Sequence, residues 1–200
     1  MDFESATPSV VKSIKQRDLL NTWIRLHVRE QRLPRLADYA PERLEDEKLD
    51  LVYYTVDTSL APPRLTILSE NTRMAAAYGR SGKGQLLEDF LGPLLVPVVM
   101  PVYQECVRRA LPVFTIAHID DAYGRIVAFE RLLLPFSNGK AVTDIVGSLK
   151  TISEDGNFEL RNLMHGGGNP PTPKLRTVID RELVHRMPGR AIADDVIEFE

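Results

Sequence analysis

Residues 112–152 read PVFTIAHIDDAYGRIVAFERLLLPFSNGKAVTDIVGSLKTI. Three runs rich in Val, Ile, Leu and Phe, at 112–119, 125–134 and 141–152, are parted by Asp-Asp-Ala-Tyr-Gly and Ser-Asn-Gly-Lys. β-Branched and aromatic residues suit a pleated, half-buried surface. Gly, Asn, Asp and Ser supply the conformations that hairpin loops need. The stretch predicts three consecutive antiparallel strands.

Working toward the N-terminus, residues 98–111 place Val99, Val102, Tyr103, Cys106, Val107 and Ala110 at helical spacing, with Pro97 and Pro101 tolerable only near a first turn. A short helical run at 85–91 follows the glycines Gly82 and Gly84. Residues 49–57 and 64–68, on either side of Pro62-Pro63, read as two strands. Ser69 is placed to cap a helix running through Met74 to Tyr78, and Gly79 to end it in the left-handed conformation. The order strand, strand, helices, strand, strand, strand predicts an α+β domain with one five-stranded antiparallel sheet and flanking helices.

Outside that unit, residues 9–30 form an amphipathic pattern, with Val10, Val11, Ile14, Leu19, Leu20, Trp23, Ile24 and Leu26 largely on one side. Proline-bounded residues 33–41 read as a loop, and 41–48 as a charged helical turn. At the other end, 165–173 read as a Gly/Pro linker, 175–187 as a short helix, and the last residues as an acidic end. The expected division is 1–15 as an extension of the first helix, 16–153 as the domain, and 154–200 as a tail.

Composition narrows the function. The chain has 200 residues, 44% of them hydrophobic, and a net charge of -3, without the basic surface that nucleic acid requires. One cysteine, Cys106, allows no internal disulfide and no thiolate metal cluster. The first ten residues contain Asp2 and Glu4 and lead into no apolar run, so no signal peptide is read. The apolar tract 91–103 is short and cut by Pro93, Pro97 and Pro101, so no membrane span is expected. A soluble, cytoplasmic protein is the expectation.

Four stretches carry a family resemblance: Trp23 in the first helix, Leu33-Pro34-Arg35 with Asp38 and Pro41, Tyr78-Gly79-Arg80 with Gly84, and Glu130 to Pro135 followed by Ser137-Asn138-Gly139. Together with the element order, they resemble a family of small alphaproteobacterial proteins of the Per-Arnt-Sim (PAS) type. The match covers about residues 16–153. The resemblance implies a sensory, signal-relay or protein-interaction module and names no ligand. The chain departs from the family in reading Glu70-Asn71-Thr72 where members often have Gly-Thr.

Candidate sites are few. A flavin photoreceptor of this class carries its reactive cysteine on the early helix, whereas Cys106 lies later and faces a helix core, so flavin photochemistry is disfavoured. His27, His118, His165 and His185 are scattered without ligand spacing, which disfavours haem and metal. The loop Gly79-Arg-Ser-Gly-Lys-Gly84 could cradle an anion but lacks the Gly-Lys-Ser/Thr ending of a nucleotide loop. Alternation sends Glu130 and Arg131 to opposite faces of a strand, so one must approach buried surface.

Phe114, His118, Glu130 and Arg131 are therefore the candidate ligand pocket, and Ile14, Leu20, Trp23 and Ile24 the candidate dimer helix. No Gly-x-Ser-x-Gly elbow and no catalytic residue is identified. The expected function is a non-enzymatic homodimeric module that binds a small molecule or a protein partner. Two alternatives stay open: an adaptor acting through 175–200, and an enzyme using His118, Glu130 and Arg131 in a cleft.

Overall fold

The computed structural model describes residues 2–41, 51–153, 156–166 and 168–180. Among these the chain runs β1 (Glu4–Ala6), α1 (Ile14–Glu30), β2 (Leu51–Asp57), β3 (Arg64–Ser69), α2 (Thr72–Tyr78), α3 (Leu87–Arg109), β4 (Val113–Asp120), β5 (Ile126–Phe136), β6 (Asp144–Ser153), α4 (Leu163–Gly166) and β7 (Thr172–Ile179). The charged turn expected at 41–48 lies almost wholly outside the described residues.

The strands form one sheet in the order β1-β7-β4-β5-β6-β2-β3. The meander and the β2–β3 hairpin occupy five adjacent places in it, all paired antiparallel. The expected count of five is corrected to seven, and the sheet is not wholly antiparallel, because β1 pairs with β7 in parallel. β7 comes from residues read as linker and short helix. Its polar and apolar residues alternate only from Thr172 to Arg176, and β4 offers it an open edge of unpaired backbone groups. Pro173, which has no N–H to give a ladder, sits beside the register shift at Ile116/Ala117. An open edge is a property of the assembled sheet and leaves no trace in local periodicity.

Residues on both sides of 16–153 thus enter the structure. Leu163 and Met164 are buried against the sheet and helices, Val11 is buried beneath α1, and Asn162 N–H donates to the Ala76 carbonyl at the end of α2.

Both faces of the sheet carry helices, the inner one α2 and α3 and part of the outer one α1. Its inner face carries Val52, Tyr54, Ile67, Phe129 and Leu133 against α2 and α3. Its outer face carries Phe114, Leu132, Leu134, Phe136 and Val146 against α1, which contributes Leu19, Leu20, Trp23 and Leu26. The Trp23 indole N–H donates to the Pro135 carbonyl at 2.7 Å, and the Tyr39 hydroxyl to the Leu19 carbonyl at 3.0 Å. α1 begins at Ile14 rather than residue 9, because Pro8 opens a separate 3-10 turn.

Asn71, not Ser69, caps α2: its side chain accepts from Met74 N–H at 2.6 Å, while Ser69 is the last residue of β3. Gly79 ends α2 with φ 70°, as expected. The two expected helices at 85–91 and 98–111 form one run broken at Gly92, whose φ is 70° and ψ 175°. Pro93 leaves the Asp89 carbonyl without its helical donor, and the Arg80 guanidinium donates to the Asp89 and Phe90 carbonyls at this break. By length and composition α3 could cross a bilayer. In this fold its Phe90, Leu95, Val99, Val102 and Tyr103 are taken up by the core.

Candidate functional site

Between the inner face and the helices lies a buried polar cluster centred on Arg131, which is 5% exposed. Its guanidinium lies over the rings of Phe129 and Tyr103, 5.2 and 5.6 Å from their centroids. It also hydrogen-bonds with the side chains of Tyr78 and Tyr103. The Tyr54 and Tyr103 hydroxyls share a hydrogen bond of 2.8 Å. Burial raises the hydroxyl pKa values of all three tyrosines, that of Tyr78 to about 12, although the nearby Arg131 opposes the shift.

A cation in such a place is stabilised by ring faces and hydroxyl dipoles. Arg131 Nε nevertheless has no partner. Two clefts of about 20 Å³ each adjoin the cluster, one reaching Arg176 and Thr115, the other Asn71 and Arg73. Each is of the size of one water or a small ion. β-Strand alternation could have pointed to Arg131, but its tyrosine partners come from three separate elements and share no sequence pattern.

The four expected pocket residues are not brought together. Phe114, His118 and Glu130 lie on the outer face and Arg131 on the inner one, since each side of a strand carries alternate residues. Phe114 is sealed beneath α1. Glu130, 8% exposed, stands opposite Lys150 on β6. Burial raises its pKa and the Lys150 charge opposes that shift.

The expected dimer helix divides in the same way. Leu20 and Trp23 are spent on the chain's own sheet, Ile24 is half-buried, and Ile14 is exposed. Beyond the reach of α1 the outer face stays open, with Ile126 and Ile152 at 58% and 39% exposure and His118 half-buried beside Ala128.

Other candidates resolve into structural roles. The glycine loop closes on the chain's own carboxylate, since Ser81 hydroxyl and Gly82 N–H both donate to Glu70. A side chain at Gly82 would meet Ile67 and Phe90. Burial raises the pKa of the Cys106 thiol, which keeps it protonated. His27 stacks on Trp23 with its ring centroid 4.8 Å away, and its Nδ1 lies 2.9 Å from the Arg32 carbonyl. Among the described residues no three His, Cys, Asp or Glu side chains converge as a metal site requires. His185 lies outside them.

A larger cavity, of about 520 Å³, opens at the start of α1. Its lining combines Ser13, Gln16 and Leu19 with Leu51 and Ser148, where β2 begins beside β6. Lys12, Lys15, Arg73 and Lys150 also line it. These cations are scattered from residue 12 to residue 150, which hides the cluster from a reading along the chain.

No protein-family model matches the chain, and no curated protein matches it. Among solved structures it is similar to one described as "Flavin Analogue Sheds Light on Light-Oxygen-Voltage Domain Mechanism". The identity is 15%, over 57% of this chain and 84% of that one, with a TM-score of 0.40. At that level the likeness carries no argument about chemistry, and the flavin belongs to that protein.

Proposed function

We propose that this chain is a non-enzymatic, PAS-like sensory or relay module that acts as a homodimer through the open half of its outer sheet face. The observation that carries the reading is the incomplete cover of α1. Ile126 and Ile152 stand out from a sheet whose other half is sealed by Leu20, Trp23 and Leu26. A sheet face left partly apolar invites a symmetric partner, and a two-fold pair is the commonest arrangement. Five adjacent strands in the order β4-β5-β6-β2-β3, with helices on the inner face, support the sensory class.

A ligand on the inner face is the second reading, favoured by the unpartnered Nε of buried Arg131. A ligand there would offer an acceptor to that atom and displace part of the aromatic filling. Flavin has no cysteine on the early helix to react with, and Cys106 is sealed. The separation of His118 and Glu130 from Arg131 supports the non-enzymatic reading, because a cleft enzyme needs its groups around one reacting atom. The adaptor alternative loses residues 175–179 to β7 and keeps only the part beyond them.

Native mass spectrometry of the freshly purified chain reads both proposals at once. The dimer mass is expected for the wild type at micromolar concentration, and the monomer mass for Ile126→Glu/Ile152→Glu with an unchanged unfolding midpoint. A wild type that stays monomeric removes the dimer reading. A bare chain mass, with no adduct under gentle desolvation, removes a co-purified inner ligand.

A further inference from the structure

At the start of α1 the chain breaks a rule that it keeps in α3. A helix N-terminus presents free N–H donors and partial positive charge, so acidic residues stabilise it and basic ones oppose it. α3 obeys, opening with Glu88 and Asp89. α1 opens with Ile14-Lys15-Gln16-Arg17, has no acidic residue in its first turn, and the Ser13 side chain caps no N–H. Local choices that contradict the element they build tend to mark functional positions.

This contradiction coincides with the 520 Å³ cavity, which falls within the size range of small-molecule sites. Lys12 and Lys15 meet Arg73 from α2 and Lys150 from β6 around it, and no Asp or Glu is among its described lining residues. Gln16 adds a second, independent sign: it lines the cavity, is 1% exposed, donates through Nε2 to the Ser148 carbonyl at 3.2 Å, and leaves Oε1 without a partner. A buried acceptor without a donor is costly, and a bound group that donates to it removes the cost.

We infer that this cavity binds a small organic polyanion carrying phosphate or carboxylate groups together with a hydroxyl or amino group. The anionic groups take the α1 N-terminus and the side chains of Lys12, Lys15 and Lys150, and the donor takes Gln16 Oε1. Binding there neutralises the charge opposing the first turn of α1 and so tightens the helix that seals the outer face. The site does not depend on the sensory reading above, and the titration below succeeds or fails whatever mass the chain shows.

Isothermal titration calorimetry of the full chain, at low ionic strength, uses pyrophosphate and citrate as separate probes of the two anionic chemistries. Saturable one-site binding of at least one is expected. Lys12→Gln/Lys150→Gln should weaken it by about tenfold or more, and Lys140→Gln, in the exposed β5–β6 loop, should leave it unchanged. Circular dichroism verifies that both variants fold. No saturable heat from either probe overturns the inference. So does an affinity equal in the two variants, which would mean nonspecific attraction to surface charge.

Discussion

Asp121 joins the β4–β5 loop to the segment around Glu159 with one carboxylate. It is 2% exposed and accepts from the N–H groups of Tyr123, Arg125 and Glu159 and from Arg125 Nε, at 2.8 to 3.2 Å. Burial pushes its pKa up, but the hydrogen bonds outweigh burial and hold it at about 2. A depressed folded pKa gives stability that is complete above the ordinary carboxylate value, near 3.9, and lost as pH falls through about 2. Asp121→Asn should flatten the decline of the urea midpoint between those pH values. Parallel declines in the two proteins would remove the assignment.

Gly79 combines two demands, a φ of 70° and an approach so close that a Cβ would lie 1.8 Å from Asn162 Oδ1. The conformation alone makes alanine cost about 1 kcal/mol. The exposed Asn162 amide can turn aside at small cost, so Gly79→Ala should cost about 1–2 kcal/mol. Asn162 has φ 57°, so glycine is tolerated there, and Gly79→Ala/Asn162→Gly should recover the steric part in denaturant titrations. No recovery would place the whole cost in the backbone. The left-handed end of α2 was legible because glycine after a helical run has few other uses. The approach of Asn162, 83 positions away, was not. Nor could the sequence choose between Ser69 and Asn71 as cap, since both can accept a hydrogen bond and strand β3 decides which is free to do so.

Among the elements, α1 was legible from its apolar stripe, whereas the surface that Trp23 covers, the chain's own sheet rather than a second copy, was not. Its indole bond to Pro135 links the helix to β5 at one point, and losing the donor strands a buried carbonyl. Trp23→Phe should therefore cost about 1–3 kcal/mol, read as a lower thermal midpoint by circular dichroism with the helical signal intact. An unchanged midpoint would mean that the carbonyl finds another donor. β7 was misread because a Gly/Pro-rich approach and a mixed polar sequence fit a loose tail equally well. The open edge of β4 makes it a strand.

For the whole molecule, the consequence is that the folded unit does not close at residue 153. Removing everything after it takes away Leu163, Met164, Val178 and Ile179 and bares one edge of β4. A chain of residues 1–153 should bind a dye for exposed apolar surface and lose its cooperative unfolding, as loss of core and edge cover dictates. Cooperative unfolding at the full-length midpoint would restore the shorter domain.

What the sequence determined by itself was local: the meander, the hairpin at 51–69, the amphipathic first helix and the glycine stop at 79. Each is encoded in residues a few positions apart, where period and turn chemistry act. What the tertiary structure decided was convergence. Arg131 among tyrosines from three elements, four cations at the head of α1, and β7 on the edge of β4 with β1 beyond it all join residues far apart in the chain. Their proximity follows from how the sheet assembles.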